Sequence, residues 1–353
     1  MVGHVAVIGA GSWGTTVAAV AALRCDTVLW ARRPALVDQV NRHHCNSVYL
    51  PGRTLPSSLV ATGSLAGAVS GASLVVMAVP SHGFRGVLRE LAPHLGSTTP
   101  VLSLAKGLER DSNRRMTEIV AQEVPGRPAG VLSGPNLARE VAAGQPAATV
   151  VAMTDQAVAV RVQQLLVTDT FRIYTNPDVV GCEVAGVTKN VLAIAAGISA
   201  GLGMGDSSMA ALITRGLVEL GRLVVAMGGD RSTVASLAGV GDLVATCTSP
   251  LSRNRTVGVQ IGQGRALAEV VGDMRMVAEG VKSARPLVDL AASHGVEMPI
   301  AEQVAAVVEG RTTVADVTSA LMLRSAKPEF RGLQRAGWGT GSPGTVTGSG
   351  SGG

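Results

Sequence analysis

The sequence predicts an α/β fold class: an N-terminal doubly wound parallel sheet, followed by an all-helical C-terminal domain. Two observations carry this reading. Between residues 5 and 153 short β-branched apolar runs alternate with longer amphipathic segments, and after about Asn176 the strand-like runs stop while Ala, Leu and Gly recur at helical spacing. Near-continuous apolar runs belong to strands buried on both faces, and their alternation with helices implies parallel pairing.

In chain order, strands are predicted at 4–8, 27–30, 74–79, 101–104 and 149–152, with 171–174 as the last candidate; Pro80 and Pro100 mark element edges. The turn signal Asn176-Pro177 divides the chain into a domain at 1–176 and a helical domain at 177–327, in which 209–227 and 301–308 show the clearest helical spacing. The segment 336–353 is almost entirely Gly, Ser, Thr and Pro around Trp338. Such a composition buries too little apolar area to offset its ordering entropy, so a disordered tail is expected, with a docking peptide centred on Trp338 as the alternative.

Composition narrows the function. With 353 residues and 46% hydrophobic content the chain can fill two cores, but at 2% aromatic they must be built from Ala, Val, Leu and Ile. The net charge of +5 is spread along the chain, and its short basic clusters, Arg32-Arg33, Arg114-Arg115 and Arg253-Asn254-Arg255, lack aromatic neighbours on which bases could stack. Nucleic acid is therefore not an expected partner; anionic metabolites are. Cys25, Cys45, Cys182 and Cys247 show no metal-site spacing and no disulfide framework, so no metal is expected and a reducing cytoplasm fits. The N-terminus enters a strand without a basic leader, and the longest uncharged stretch, 190–205, is too short for a bilayer, so neither export nor a membrane span is expected.

Gly9-Ala10-Gly11-Ser12-Trp13-Gly14 follows the first strand directly and opens an Ala/Val-rich helix. In that context Gly9 makes the tight turn, Gly11 lets backbone approach a pyrophosphate, and Gly14 allows close helix–strand packing, while free N–H groups at the helix start meet the phosphates. This makes the first domain a Rossmann-type dinucleotide site. The second strand ends at Trp30-Ala31-Arg32-Arg33, without the acidic residue that would hold a ribose 2′-hydroxyl. The two arginines suit a 2′-phosphate, so NADP(H) is expected to be accepted alongside or in preference to NAD(H); surface arginines at a solvated helix start are the plainer alternative.

The chemistry must come from elsewhere. Lys106 follows a strand that ends at the carboxyl edge of the sheet, where open α/β sheets bind ligands. Lys189 heads the uncharged stretch, where burial would lower its pKa toward the range useful for proton transfer, although a structural lysine at a domain boundary reads similarly. Asp242 in Gly-Val-Gly-Asp is by itself equally a turn aspartate or helix cap. Ser252-Arg253-Asn254-Arg255 offers a hydroxyl, an amide and two guanidinium forks for a phosphate monoester, or else a capped, solvated helix start.

Together these stretches resemble the bacterial NAD(P)-dependent glycerol-3-phosphate dehydrogenases over about 5–322. The resemblance is carried by the glycine loop at 9–14, Asn46-Ser47-Val48-Tyr49-Leu50-Pro51-Gly52, Lys106-Gly107-Leu108, Ser133-Gly134-Pro135, Lys189-Asn190-Val191 and the run from Ala210 to Gly216. It continues through Gly241-Asp242-Leu243, Thr246-Cys247, Ser252-Arg253-Asn254-Arg255, Glu279-Gly280 and Met298-Pro299-Ile300. It implies reversible reduction of dihydroxyacetone phosphate to sn-glycerol 3-phosphate for phospholipid synthesis, with Lys189 as the proton-transferring residue. It further implies substrate contacts at Lys106, Gly134, Asn136, Lys189, Asn190, Asp242, Ser252, Arg253 and Asn254. Cofactor contacts are implied at Gly9, Gly11, Ser12, Trp13, Gly14, Arg32, Arg33, Lys106, Ala138, Arg253, Val277 and Glu279. A homodimer is expected, because the Ala/Gly-rich helical half offers more apolar surface than one small bundle needs.

Ala185, Thr188 and Ser207 depart from the family pattern, which commonly has Gly, Leu and Asn there. These departures keep a non-catalytic NADP(H)-binding sensor among the alternatives. A β-hydroxyacid dehydrogenase resembling the 6-phosphogluconate enzymes, which also use a lysine, is the other; Ser-Arg-Asn-Arg and Gly-Asp-Leu favour the glycerol phosphate enzymes.

Overall fold

The computed structural model describes residues 3–274 and 278–316. The segment 336–353 and Val277 lie outside the described residues.

Ten strands form among the described residues: β1 Val5–Ile8, β2 Thr27–Trp30, β3 Cys45–Asn46, β4 Leu50–Thr54, β5 Leu59–Thr62, β6 Leu74–Met77, β7 Val101–Ser103, β8 Ala129–Ser133, β9 Ala147–Met153 and β10 Phe171–Asn176. Eight make one sheet in the order β10-β9-β8-β7-β6-β1-β2-β5, while β3 and β4 pair as a separate hairpin. All four residues of β1 and of β6 are buried, as expected for strands covered by helices on both faces. The chain leaves β1 in one direction through β2 and β5 and in the other through β6, so the switch point lies between β1 and β6, where open sheets of this kind take ligands.

The expected parallel sheet forms, with one antiparallel pair. The strand read at 149–152 is β9, and it runs antiparallel to β8, with Ser133 opposite Val150 and Gly130 opposite Met153. The cause is the connection: a parallel crossover would return along the sheet face, whereas residues 134–146, with the short helix Ala138–Val141, stay at the carboxyl edge and turn the chain back there. β10 then pairs parallel to β9. Two strands absent from the sequence reading, β5 and β8, complete the sheet.

After β10 the described residues are helical. The helix Val179–Gly201 forms the axis of the second core, and all its residues from Gly181 to Ser199 are buried. Asp178 caps it, accepting from the Gly181 N–H at 2.8 Å. By length and composition this helix could cross a membrane, which the uncharged stretch 190–205 alone could not, but it is enclosed by the other helices.

The helix Arg253–Gly262 crosses Val179–Gly201 in backbone contact. A Cβ at Gly197 would stand 2.1 Å from the Arg255 carbonyl, and one at Gly258 would stand 2.1 Å from that of Ile194. Hydrogen at these positions lets the helices close, and Asn254 donates to Asn190 Oδ1 across them at 2.9 Å.

Candidate active site

One cleft of about 740 Å³ runs along the carboxyl edge of the sheet and against the helical part. Its walls come from the ends of five strands: Gly9–Gly14 after β1, Arg32 and Arg33 after β2, Pro80 and His82 after β6, Lys106 after β7, and Asn136 and Ala138 after β8. Lys189, Asn190, Ser252, Arg253, Asn254 and Glu279 close it from the helical side. Most residues singled out in the sequence therefore meet in one place.

The glycine loop has the geometry its spacing implies. Gly9 has φ +122°, and a Cβ there would lie 2.8 Å from the Ala78 carbonyl; one at Gly14 would lie 2.0 Å from the Gly9 carbonyl. At Gly11 an added Cβ meets no atom of the described residues within 4 Å, leaving open space in front of the helix Ser12–Ala22. Buried Asn46 braces the loop, its amide donating to the Ala10 carbonyl at 3.0 Å and to Thr15 Oγ1 at 2.9 Å. Ser12 bonds the Tyr49 carbonyl, and Trp13 packs edge-on against Phe171, with centroids 6.2 Å apart.

The polar centre is built on Asp242, the first residue of the helix Asp242–Thr248. Its Oδ1 accepts from Lys189 Nζ at 2.5 Å and its Oδ2 from Lys106 Nζ at 2.6 Å, so one buried carboxylate holds two ammonium groups. Lys189 Nζ also donates to Thr246 Oγ1 at 2.8 Å, and Lys106 Nζ to the Gly134 carbonyl at 3.1 Å. Burial lowers the Lys189 pKa to about 8, with Lys106 adding to the shift and Asp242 opposing it. Burial raises the Asp242 pKa, but the two lysines outweigh it and hold the carboxyl below its usual range.

Several expected contacts are sharpened. Asp242 and Gly134 sit behind the cleft wall: Asp242 orients the two lysines, and Gly134 supplies a carbonyl to Lys106. Asn190 donates to the Lys106 carbonyl at 2.8 Å and accepts from Asn254, whose Oδ1 in turn accepts from the Gly280 N–H at 3.0 Å. Glu279 uses both oxygens on backbone, accepting from Ser81 N at 3.2 Å and Lys106 N at 3.0 Å. Ser252 caps the helix that begins at Arg253.

Thr246 escaped the sequence reading as a partner of Lys189, although it lies one helical turn after Asp242 and so shares its face. The Pro80–His82 wall was also missed; its signal was its place directly after the strand that flanks β1 at the switch point.

Family models for the N-terminus and C-terminus of NAD-dependent glycerol-3-phosphate dehydrogenase match residues 4–159 and 178–319. The chain belongs to this dehydrogenase family. It is 53% identical over 325 residues to the second NAD(P)+ glycerol-3-phosphate dehydrogenase of Sphingopyxis alaskensis, covering 92% of this chain and 98% of that one. It is 50% identical over 333 residues to the Thermobifida fusca enzyme, covering 93% and 99%. The crystal structure of glycerol-3-phosphate dehydrogenase from Coxiella burnetii superposes with a TM-score of 0.88 at 37% identity, covering 91% of this chain and 99% of that chain.

As a dehydrogenase of this family the chain binds NAD(P)(H), and its residues fit that group. The open space at Gly11 suits a pyrophosphate, and Trp13 Nε1 and Asn136 Oδ1 are buried polar atoms on cleft residues without a hydrogen-bond partner among the described residues. Arg32 and Arg33 are exposed on the cleft wall, with Arg33 held 6.0 Å over the Tyr49 ring. Two of the three family departures lie within the continuous helix Val179–Gly201: Ala185 is packed in its core, and Thr188 keeps a buried hydroxyl without a partner among the described residues. Ser207 is exposed.

Proposed function

We propose that this enzyme reversibly reduces dihydroxyacetone phosphate to sn-glycerol 3-phosphate, a phospholipid precursor, with Lys189 transferring the proton. The observation that carries the reading is Lys189 itself: a buried ammonium facing the cleft, lowered to about 8 and fixed between Asp242 and Thr246.

The nicotinamide, when bound, supplies hydride to the ketone carbon and takes it back in the oxidative direction. Gly9, Gly11, Ser12, Trp13, Gly14, Ala138, Lys106, Arg253 and Glu279 form the cofactor side of the cleft, and Arg32 and Arg33 suit a 2′-phosphate. As negative charge develops on the substrate oxygen, Lys189 Nζ gives it a proton; in reverse, neutral Lys189 accepts the hydroxyl proton. Asp242 keeps Nζ aimed at the cleft, and the Lys106 ammonium on the same carboxylate favours loss of the proton from Lys189. Arg253 presents its guanidinium to the phosphate monoester, while Asn190 and Asn254 fix the wall from which it projects.

NADPH oxidation followed by absorbance with dihydroxyacetone phosphate, 6-phosphogluconate-type products and other phosphorylated ketones tests the reading. Turnover with dihydroxyacetone phosphate is expected; NADPH binding without oxidation would leave a sensor instead. The proposal extends to a two-domain division near Asn176, a cytoplasmic location and a homodimer. Leu202 and Met204 are exposed where the helix Val179–Gly201 passes into the next and offer apolar surface to a second copy. Light scattering that returns only the 35.8 kDa of one chain would remove the dimer.

A further inference from the structure

The loop that carries Lys106 runs from β7 to the helix Met116–Glu123, and both of its ends are tied to one face of Val179–Gly201. At the near end Asn190 donates to the Lys106 carbonyl at 2.8 Å. At the far end Glu183 accepts three hydrogen bonds, from Arg115 Nη1 at 2.6 Å, Thr117 Oγ1 at 2.6 Å and Thr117 N at 2.9 Å. Glu183 and Asn190 lie two helical turns apart and share a face. Gly186 lies between them, and a Cβ there would stand 3.4 Å from Lys106 Cγ, so the Lys106 stem rests on the helix.

Between its ends the loop is held on both sides. Leu108 is buried in the helical core, and Glu109 receives a two-pronged bond from Arg85 at 2.6 and 2.7 Å. The loop is thus a strap laid along the helix that bears Lys189. Its register matters because Lys106 and Lys189 meet on the two oxygens of one carboxylate.

Stability alone does not account for a charged pair here. Burial raises the Glu183 pKa against the pull of Arg115 and Thr117, and replacing a buried ion pair by apolar residues of similar volume is often neutral or stabilising. What an apolar pair lacks is direction: three convergent donors fix where the strap ends along the helix.

We propose that Glu183 is a positioning residue: by holding Arg115 and Thr117 it sets the register of the Lys106 strap along Val179–Gly201, and so the placement of Lys106 and Lys189 about Asp242. This rests on the reading of Lys189 as the proton-transferring residue. The test compares E183A, E183Q and the apolar pair R115M/E183L with the wild type, using kcat, KM for dihydroxyacetone phosphate, NADPH affinity, the pH profile of kcat and the melting temperature.

Misplacement of catalytic groups by about 1 Å is worth on the order of a hundredfold in rate, so E183A is expected to lose about that much in kcat with NADPH affinity unchanged. E183Q, which keeps an acceptor for the Thr117 N–H, is expected to lose less. R115M/E183L is expected to regain the wild-type melting temperature but not kcat, and to show a displaced pH midpoint. Recovery of kcat together with the melting temperature in the apolar pair, or wild-type kcat in E183A, overturns the inference. An inactive wild type, or a Lys189→Ala variant that still turns over, overturns the underlying reading instead.

Discussion

The two sides of the cleft are made in opposite ways. On the proposed cofactor side, the seat for the pyrophosphate is one contiguous hexapeptide, residues 9–14, made of glycine backbone and a helix start. The proposed proton-transfer side is three side chains from separate elements, Lys106, Lys189 and Asp242, whose meeting depends on how a sheet edge, a core helix and a short helix pack. A contiguous backbone site is specified where it stands; a dispersed site is specified by the packing of everything between its members. Substitutions on one side should therefore change affinity, and on the other rate.

The largest separation should come from Lys189→Ala. Loss of a general acid–base group is worth about 10²–10⁴-fold, so kcat is expected to fall by about a thousandfold or more while NADPH titrates as in the wild type. A turnover number near wild type would sink the assignment. Gly14→Ala tests the other side, because its new Cβ would overlap the Gly9 carbonyl. NADPH affinity is expected to fall by about tenfold or more, roughly the effect of 1.4 kcal/mol, with the pH midpoint of the residual kcat unmoved; equal affinities in a direct titration would contradict the loop geometry.

Exchanging both Arg32 and Arg33 for Ala should lower kcat/KM for NADPH by about tenfold, the worth of a charge-assisted bond pair, and leave NADH nearly unaffected. A wild type that strongly prefers NADH would refute the arginine reading at the outset. With Lys189 near 8, the two directions should respond oppositely to pH. Reduction needs the ammonium, so kcat is level below about 8 and falls above it; oxidation needs the amine, so kcat rises through the same midpoint. Parallel profiles would assign the proton elsewhere.

The smallest effect lies away from the cleft. Buried Glu219 accepts the Ile300 and Ala301 N–H groups at the start of the helix Pro299–Val308, and burial raises its pKa from 4.5 to about 7. The folded chain then binds more protons than the unfolded one between these values, so stability falls as pH rises from about 4.5 to 7 and levels off above. Glu219→Gln should flatten that dependence in melting scans, a change of about 2–4 °C; an unchanged slope would mean the carboxyl is not its source.

The contrast also explains what the sequence made legible. The strands β1 and β6 are apolar without interruption, and the glycine loop announces itself by context. β8 was hidden by Gly130, which weakens the strand pattern, yet glycine is required there because a Cβ would stand 2.4 Å from the Ala152 carbonyl of β9. β5 has four residues with Val60 exposed, too short a signal beside its turns. Within the site, residue types and motif order pointed to Lys106, Lys189 and Asp242, but not to the sharing of one carboxylate, nor to Asn190 and Asn254 being engaged with the protein itself. Those facts belong to distances between elements, which no local pattern encodes.

The backbone contact between Val179–Gly201 and Arg253–Gly262 gives the cleft a fixed gauge. Where large side chains separate two helices, their spacing drifts as those side chains are exchanged; here main chain meets main chain at Gly197 and Gly258, and there is nothing between them to trim. The span from the guanidinium of Arg253 to the amine of Lys189 therefore cannot be shortened by repacking this pair. On the proposed roles of Arg253 and Lys189, redesign toward a longer phosphorylated ketone has to work on the walls contributed by the strand-end loops, because these two helices have no slack to give.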